Sequence, residues 1–191
     1  MQEYEGTYLN IDKNAIEEKL KALGAIHHGE KLYRTTAFDF PGFPLDAKAA
    51  WVRLRDEGDQ VTFAFKQRLG VKSETGDDEG MLEHEVTVSD FNATAQILLN
   101  IGLIEKFAQE QKRSRWVLGD VTFDIDTRPM LEPYLEIESV SDEKVDEAAA
   151  KLGLNPADKK TLSATQVFAL AGIRDKDYIK IAFDECVKRE S

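Results

Sequence analysis

The sequence predicts an α+β fold: an eight-stranded antiparallel β-sheet closed into a barrel, with helices packed on its outside. Three observations carry that expectation. The apolar period switches along the chain between about 3.6, the repeat of an amphipathic helix, and about 2, the repeat of a strand. Each period-2 segment separates into a charged and an apolar side. A weak internal repeat is also visible, because Glu3-Tyr4-Glu5, a helix and three strands are followed 80 residues later by Glu83-His84-Glu85, a helix and three strands. A duplicated four-strand unit can close into a barrel of eight.

In chain order, the first strand is expected over Glu3 to Leu9. Asn14 and Glu17 read as the capping box of a first helix, with Ile16, Leu20 and Leu23 on one face and Gly24 as its stop. A second strand runs from Lys31 to Phe40, broken by Pro41, Gly42 and Pro44; strands over Trp51 to Asp56 and Val61 to Arg68 follow. Ser73 to Gly80 reads as a mobile acidic loop, and Leu82 to Val88 as the fifth strand. Ser89 opens a second helix with Phe91, Ala95 and Leu98 on one stripe and Gly102 after it. Phe107 to Trp116, Val121 to Asp126 and Tyr134 to Ser139 complete the strands. Ser141 starts a third helix, with Val145, Ala148, Ala149 and Leu152 in register and Gly153 closing it. Ser163 and Gln166 cap a short helix ending at Gly172, and Asp175 to Lys188 repeats the helical pattern through Ile179, Ala182, Phe183 and Cys186. Residues 1–155 are thus expected to form the barrel domain, and 156–191 a helical extension packing on it.

With 191 residues and 42% hydrophobic content the chain has material for a real core, which excludes disorder over most of its length. A formal charge of −11 opposes loose attachment to nucleic acid or anionic lipid, so an anionic partner must be met by a local basic site. Cys186 is a lone cysteine, read as a buried thiol in a reducing compartment. Glu3 and Glu5 do not suit a signal peptide, and no apolar run has the roughly 20 residues a helical crossing needs. A cytoplasmic protein, monomeric or homodimeric, is expected. No Walker-type loop is present, and three histidines do not assemble a Ser-His-Asp or Cys-His site. His27 and His28 read as loop residues, and Trp51 and Trp116 as packing or tunnel-mouth residues.

Residues two apart share a strand face. One face collects Glu3, Glu5, Arg53, Arg55, Lys66, Arg68, Glu83, Glu85, Arg113, Arg115, Asp124, Asp126, Glu136 and Glu138. Tyr4, Tyr8, Val52, Leu54, Phe63, Phe65, Val86, Val88, Phe123, Ile125, Leu135 and Ile137 fall opposite. Like charges recur two residues apart, a costly arrangement unless something of opposite sign binds them. Turned inward, these side chains would line a polar tunnel. Hard cations prefer carboxylate and phosphate oxygens, whereas guanidinium and ammonium groups grip phosphate directly. A short polyphosphate with metal would engage both signs of charge.

At these residues the chain resembles the CYTH family, also called triphosphate tunnel metalloenzymes, which includes class IV adenylyl cyclases, thiamine triphosphatases and tripolyphosphatases. The resemblance rests on Glu3-Tyr4-Glu5, on Leu23-Gly24-Ala25, on Val52-Arg53-Leu54-Arg55 and on Lys66 in its strand. It continues through Glu83 and Glu85, Arg113 and Arg115, Asp126, and the closing Glu136-Ile137-Glu138. It implies a Mg²⁺ or Mn²⁺ site drawn from Glu3, Glu5, Glu83, Glu85, Asp124, Asp126, Glu136 and Glu138. It implies phosphate binding by Arg53, Arg55, Lys66, Arg68, Arg113 and Arg115, with Glu3, Glu5, Lys66, Arg53 and Arg55 closest to the chemistry. The expected activity is hydrolysis of a triphosphate-containing small molecule. Cyclisation of ATP to cyclic AMP and pyrophosphate, or binding without turnover, are the alternatives. Two positions depart from the family pattern: Thr7 stands where the signature has lysine, and Met81 where arginine often precedes the central acidic pair.

Overall fold

A computed structural model describes residues 4–69 and 80–190. Glu3 and the expected loop of Ser73 to Gly80 lie outside the described residues, except for Gly80, which opens a strand. Among the described residues ten strands form a sheet that is antiparallel but for one parallel pairing, with four α-helices, which is the predicted α+β class. The main path of the sheet begins on β1 (Tyr4–Tyr8) and ends on β5 (Gly80–Val88). Among the described residues no ladder joins those two, so the path is open where a closed barrel was expected. At Thr7 the outer edge of β1 is instead bridged by Lys160, through Thr7 N–H to Lys160 O at 2.7 Å and Lys160 N–H to Thr7 O at 3.1 Å.

The chain divides into two compact units, one of residues 1–32 with 111–177, the other of 33–110 with 178–191. In the first, β1 pairs with β8 (Tyr134–Ser139), β8 with β7 (Val121–Thr127), and β7 with the later part of β6 (Ile104–Leu118). The apolar side of these strands carries Tyr8, Trp116, Phe123, Ile125, Leu135 and Ile137. It is covered by Ile16 and Leu20 of α1 (Lys13–Ala22) and by Val145, Ala148 and Ala149 of α3 (Asp142–Lys151). Burial of such side chains is worth roughly 1.5–3 kcal/mol each. Gly6 allows α3 its close approach, because a Cβ there would sit 2.9 Å from Val145 Cγ1.

In the second unit, β3 (Ala50–Asp56) lies between the end of β2 (Ile26–Asp39) and β4 (Val61–Leu69), and β4 pairs with β5. Phe38 and Leu54 pack against Leu98 of α2 (Phe91–Asn100) and Leu103 just after it.

Several local expectations change. The cap of α1 is Asp12, whose carboxylate accepts from Ala15 N–H at 3.0 Å, and not the Asn14–Glu17 box. Asp90 rather than Ser89 caps α2. The capping box of α4 (Ala164–Leu170) forms as expected from Ser163 and Gln166. The helix expected over Asp175 to Lys188 is instead a short 3-10 turn followed by β9 (Tyr178–Ile181) and β10 (Cys186–Lys188). Tyr178-Ile179-Lys180-Ile181 alternates, β-branched isoleucine favours extended backbone, and Ala108 and Gln109 of β6 offer a free edge for β9. Cys186 is accordingly exposed, not a core thiol.

Candidate active site

In the first unit, alternation places the predicted charges on the side of the sheet opposite the apolar core. Arg113 is the centre of the cluster. Its Nε and Nη2 donate to the two oxygens of Asp126, both at 2.7 Å, while Nη1 reaches Asp124 at 2.9 Å and Nη2 also reaches Glu136 at 2.6 Å. Arg115 forks onto Asp124 at 2.7 and 2.6 Å. The β6–β7 register dictates these partners, since Arg113 stands opposite Asp126 and Arg115 opposite Asp124. Burial alone would lower the Arg113 pKa, but the hydrogen bond to Asp126 and the charges of Asp126, Asp124 and Glu136 raise it well above the ordinary value. This guanidinium keeps its proton.

The glutamates are less well compensated. Glu136 is pushed up to about 7, by burial first and then by the charge of Asp126, with Glu5 adding to the effect and Arg113 opposing it. Glu5 is also raised, by desolvation first and then by Glu138, its direct cross-strand partner. The residue as a whole is exposed, yet desolvation of the carboxylate by its surroundings remains the first cause of that rise. Thr7, wholly buried, makes no well-formed hydrogen bond through Oγ1 among the described residues, although its hydroxyl is near enough to Glu5 to temper the carboxylate's rise.

In the second unit, Arg53 Nη2 donates to Glu83 at 3.1 Å and to Glu85 at 2.6 Å, and Lys66 Nζ lies 3.0 Å from Glu83. Lys66 is opposite Glu83 in the β4–β5 register. Arg53 Nε is buried with no acceptor among the described residues. Arg55 lies 3.7 Å from Glu57, and Arg68 is exposed near the end of β4.

The expectation that paired like charges stay frustrated without a ligand therefore needs correction. Neighbouring strands carry doublets of opposite sign, so Arg113 and Arg115 are answered by Asp124 and Asp126, and Arg53 and Lys66 by Glu83 and Glu85. The remaining strain is narrower: Glu5, opposite Glu138 in the β1–β8 register, and Glu136, beside Asp126, keep raised pKa values even though Arg113 reaches Glu136. Among the described residues no three acidic, histidine or cysteine side chains are gathered as a metal shell. By donor chemistry the three glutamates still fit a hard cation: they offer only carboxylate oxygens, and the raised pKa values of Glu5 and Glu136 mark a site short of positive charge. Asp124 and Asp126 fit less well, because arginine forks already occupy their oxygens.

Pattern reading missed three members of the first cluster: Gln111 of β6, which donates to Asp126, Arg128 in the turn after β7, which donates to Gln111, and Tyr134 at the start of β8, which accepts from Arg128. Gln111 shares the parity of Arg113 and Arg115, a signal that could have found it. His27 and His28 lie on β2 and not in a loop. His27 stacks on Trp116 with centroids 4.2 Å apart, and its Nε2 is 3.0 Å from Ser114 Oγ. Ser114 and Trp116 face away from Arg113 and Arg115, so Trp116 is packing beneath α1.

The sequence has no match among the curated proteins. Solved structures share the fold at low identity. The PH1012 protein of Pyrococcus horikoshii OT3 is 20% identical, covering 87% of this chain and 99% of its own, with a TM-score of 0.64. A candidate adenylate cyclase from Vibrio parahaemolyticus is 16% identical over 87% of this chain and 97% of its own, with a TM-score of 0.67. HpAC1 from Hippeastrum, a candidate adenylyl cyclase described as revealing a dominant triphosphatase activity, is 15% identical over 90% of this chain and 97% of its own, at a TM-score of 0.62. The CYTH domain model matches residues 1–163, spanning β1 through the strands and α3 that carry and back the charged face, and by that match the chain belongs to the CYTH domain family.

Proposed function

We propose that this protein is a divalent-metal-dependent hydrolase of a triphosphate-containing small molecule, held by the charged side chains of the sheet. The reading takes 1–155 as the tunnel domain and 156–191 as an extension packing on it. The observation that carries it is Arg53: a mostly buried guanidinium bound by two carboxylates through one nitrogen, with a buried Nε that has no acceptor among the described residues. A phosphate group brings the oxygens that such a fork can take up bidentately.

Phosphoryl transfer needs positioning and charge neutralisation more than covalent help from protein. Arg53, Arg55, Lys66 and Arg68 would bind phosphate oxygens in exchange for carboxylate contacts, as would Arg113 and Arg115. Glu5, Glu136 and Glu138, with Glu3, would hold Mg²⁺ or Mn²⁺. When bound, that ion would supply positive charge to the phosphates and to a water that attacks the terminal phosphorus. Glu83 and Glu85 would serve mainly to keep Arg53 and Lys66 extended along the polar face until substrate arrives.

Thr7 favours a second reading, a polyphosphate-binding protein without turnover, because a buried hydroxyl replaces the lysine of the family signature. A phosphate-release panel over tripolyphosphate, thiamine triphosphate and nucleoside triphosphates with Mg²⁺, Mn²⁺ and Ca²⁺, run beside a cyclic AMP assay, separates the readings. Release of phosphate from at least one triphosphate, abolished by chelation, is expected. Tripolyphosphate binding with no product in any assay would leave the binding reading in its place, and cyclic AMP formation would make the protein a cyclase.

A further inference from the structure

The polar face of the first unit is braced at one end by residues outside the proposed phosphate and metal sets. Arg128, in the turn that follows β7, is only 8% exposed. Its Nε donates to Tyr134 Oη at 2.7 Å, and its Nη2 donates to Gln111 Oε1. The turn's backbone is closed by Leu131 N–H donating to Arg128 O at 3.2 Å.

The contact with Gln111 has a directional consequence. An amide whose oxygen accepts from a guanidinium must point its NH₂ the other way. Gln111 Nε2 accordingly faces Asp126, 3.4 Å from each carboxylate oxygen. A flipped amide would turn its oxygen toward the carboxylate and its NH₂ toward the guanidinium, which is unfavourable at both ends. Asp126 is fully buried, and its two oxygens carry the Arg113 fork. The order of contacts is therefore Tyr134, Arg128, Gln111, Asp126, Arg113, and every link but the last lies outside the expected phosphate-binding residues.

We infer that Arg128 and Gln111 are positioning residues, which hold the Asp126 fork in place and so aim Arg113 along the polar face. The proposed function enters only in naming a polyphosphate as the anion that Arg113 then receives. A buried network of this kind fixes geometry because each member has one satisfying orientation. Loss of the cation frees the Gln111 amide to rotate, and Asp126 then loses one of the contacts that oppose its motion.

The test reads Arg113 directly. In protein labelled with ¹⁵N-arginine, the Arg113 Hε signal, identified by its loss in Arg113→Lys, should exchange slowly with water. Arg128→Gln and Gln111→Glu should accelerate that exchange at least tenfold, and Arg128→Lys, which retains a donor toward Gln111, should stay within about threefold of the wild type. Gln111→Glu keeps an ion pair with Arg128 but turns a carboxylate toward Asp126, so it tests the same link if Arg128→Gln fails to fold. Unchanged exchange in Gln111→Glu and in any folded Arg128→Gln would overturn the inference. A second arm measures tripolyphosphate binding by calorimetry without metal. Weakening of about tenfold in Gln111→Glu and in folded Arg128→Gln, with Arg128→Lys binding within about threefold of the wild type, is expected, and faster Arg113 exchange with unaltered affinity would also overturn it. If the wild type binds no tripolyphosphate, the functional reading fails, while the exchange measurement still decides the positioning role.

Discussion

Glu5 and Glu138 stand directly opposite each other across the β1–β8 ladder, two carboxylates at one register position. Like charges placed this way repel, and here the repulsion adds to the desolvation that raises Glu5. The arrangement costs stability, and a bound cation would relieve it.

Glu5→Gln should therefore raise the melting temperature at pH 8 in the presence of EDTA. It should also shrink the stabilisation produced by Mn²⁺ or Mg²⁺. For the wild type, that stabilisation should be larger at pH 8 than at pH 5.5, because carboxylates must lose their protons to bind metal. Differential scanning fluorimetry at both pH values checks this. A metal-induced shift of the same size in Glu5→Gln would remove Glu5 from the metal set.

Glu136 predicts a pH window. Its folded-state pKa of about 7 lies above the ordinary 4.5, so between those values the folded protein binds more protons than the unfolded chain. Stability is then highest below about pH 4.5 as far as this group is concerned, and declines as pH rises toward 7. The contribution is on the order of 1–3 kcal/mol. Urea denaturation of metal-free protein in steps across this range should show the decline, and Glu136→Gln should flatten it. A wild-type profile with no Glu136-dependent slope would show that Arg113 compensates this carboxylate fully.

The same residues show how far the sequence could be read. Strand parity placed Arg113, Asp124, Asp126 and Glu136 on one face, because a two-residue period survives any error in strand ends. It could not tell which opposite charges would meet, since that depends on register, and register turned an apparently frustrated face into a set of Arg–Asp forks. Arg128 was invisible for a different reason. It lies beyond the last alternating residue of β7, next to Pro129, where no period exists to assign it a face. The C-terminal strands failed where two periods compete: Ile179, Ala182, Phe183 and Cys186 suit a helix by spacing, but a free edge of β6 was available for Tyr178–Ile181.

Asp126 is the buried partner that makes Arg113 tolerable. Removing one side of such a pair leaves an uncompensated charge, which typically costs about 3–5 kcal/mol. Asp126→Ala should fall in that range by denaturation, whereas Arg115→Ala, whose side chain is 45% exposed, should cost less than about 1 kcal/mol. Equal losses in the two variants would contradict the hierarchy that the geometry sets.

Gly6 offers a test of the scaffold behind the site. It lies between Glu5 and Thr7 but faces α3, and a methyl group there would approach Val145 Cγ1 to 2.9 Å and the Lys159 stem to 3.1 Å. Lys159 can shift, although its ammonium is held by Asp146 at 2.6 Å and Asp142 at 2.9 Å. Val145 cannot, because it is fully buried in the core. Gly6→Ala should therefore destabilise by about 1–3 kcal/mol, the usual cost of overpacking. Val145→Ala should cost stability alone, through a cavity, yet recover part of the loss when combined with Gly6→Ala, because the added methyl then has somewhere to go. Denaturation of the two single variants and the double variant measures the coupling, and strict additivity would mean that α3 moves away from β1 without resisting.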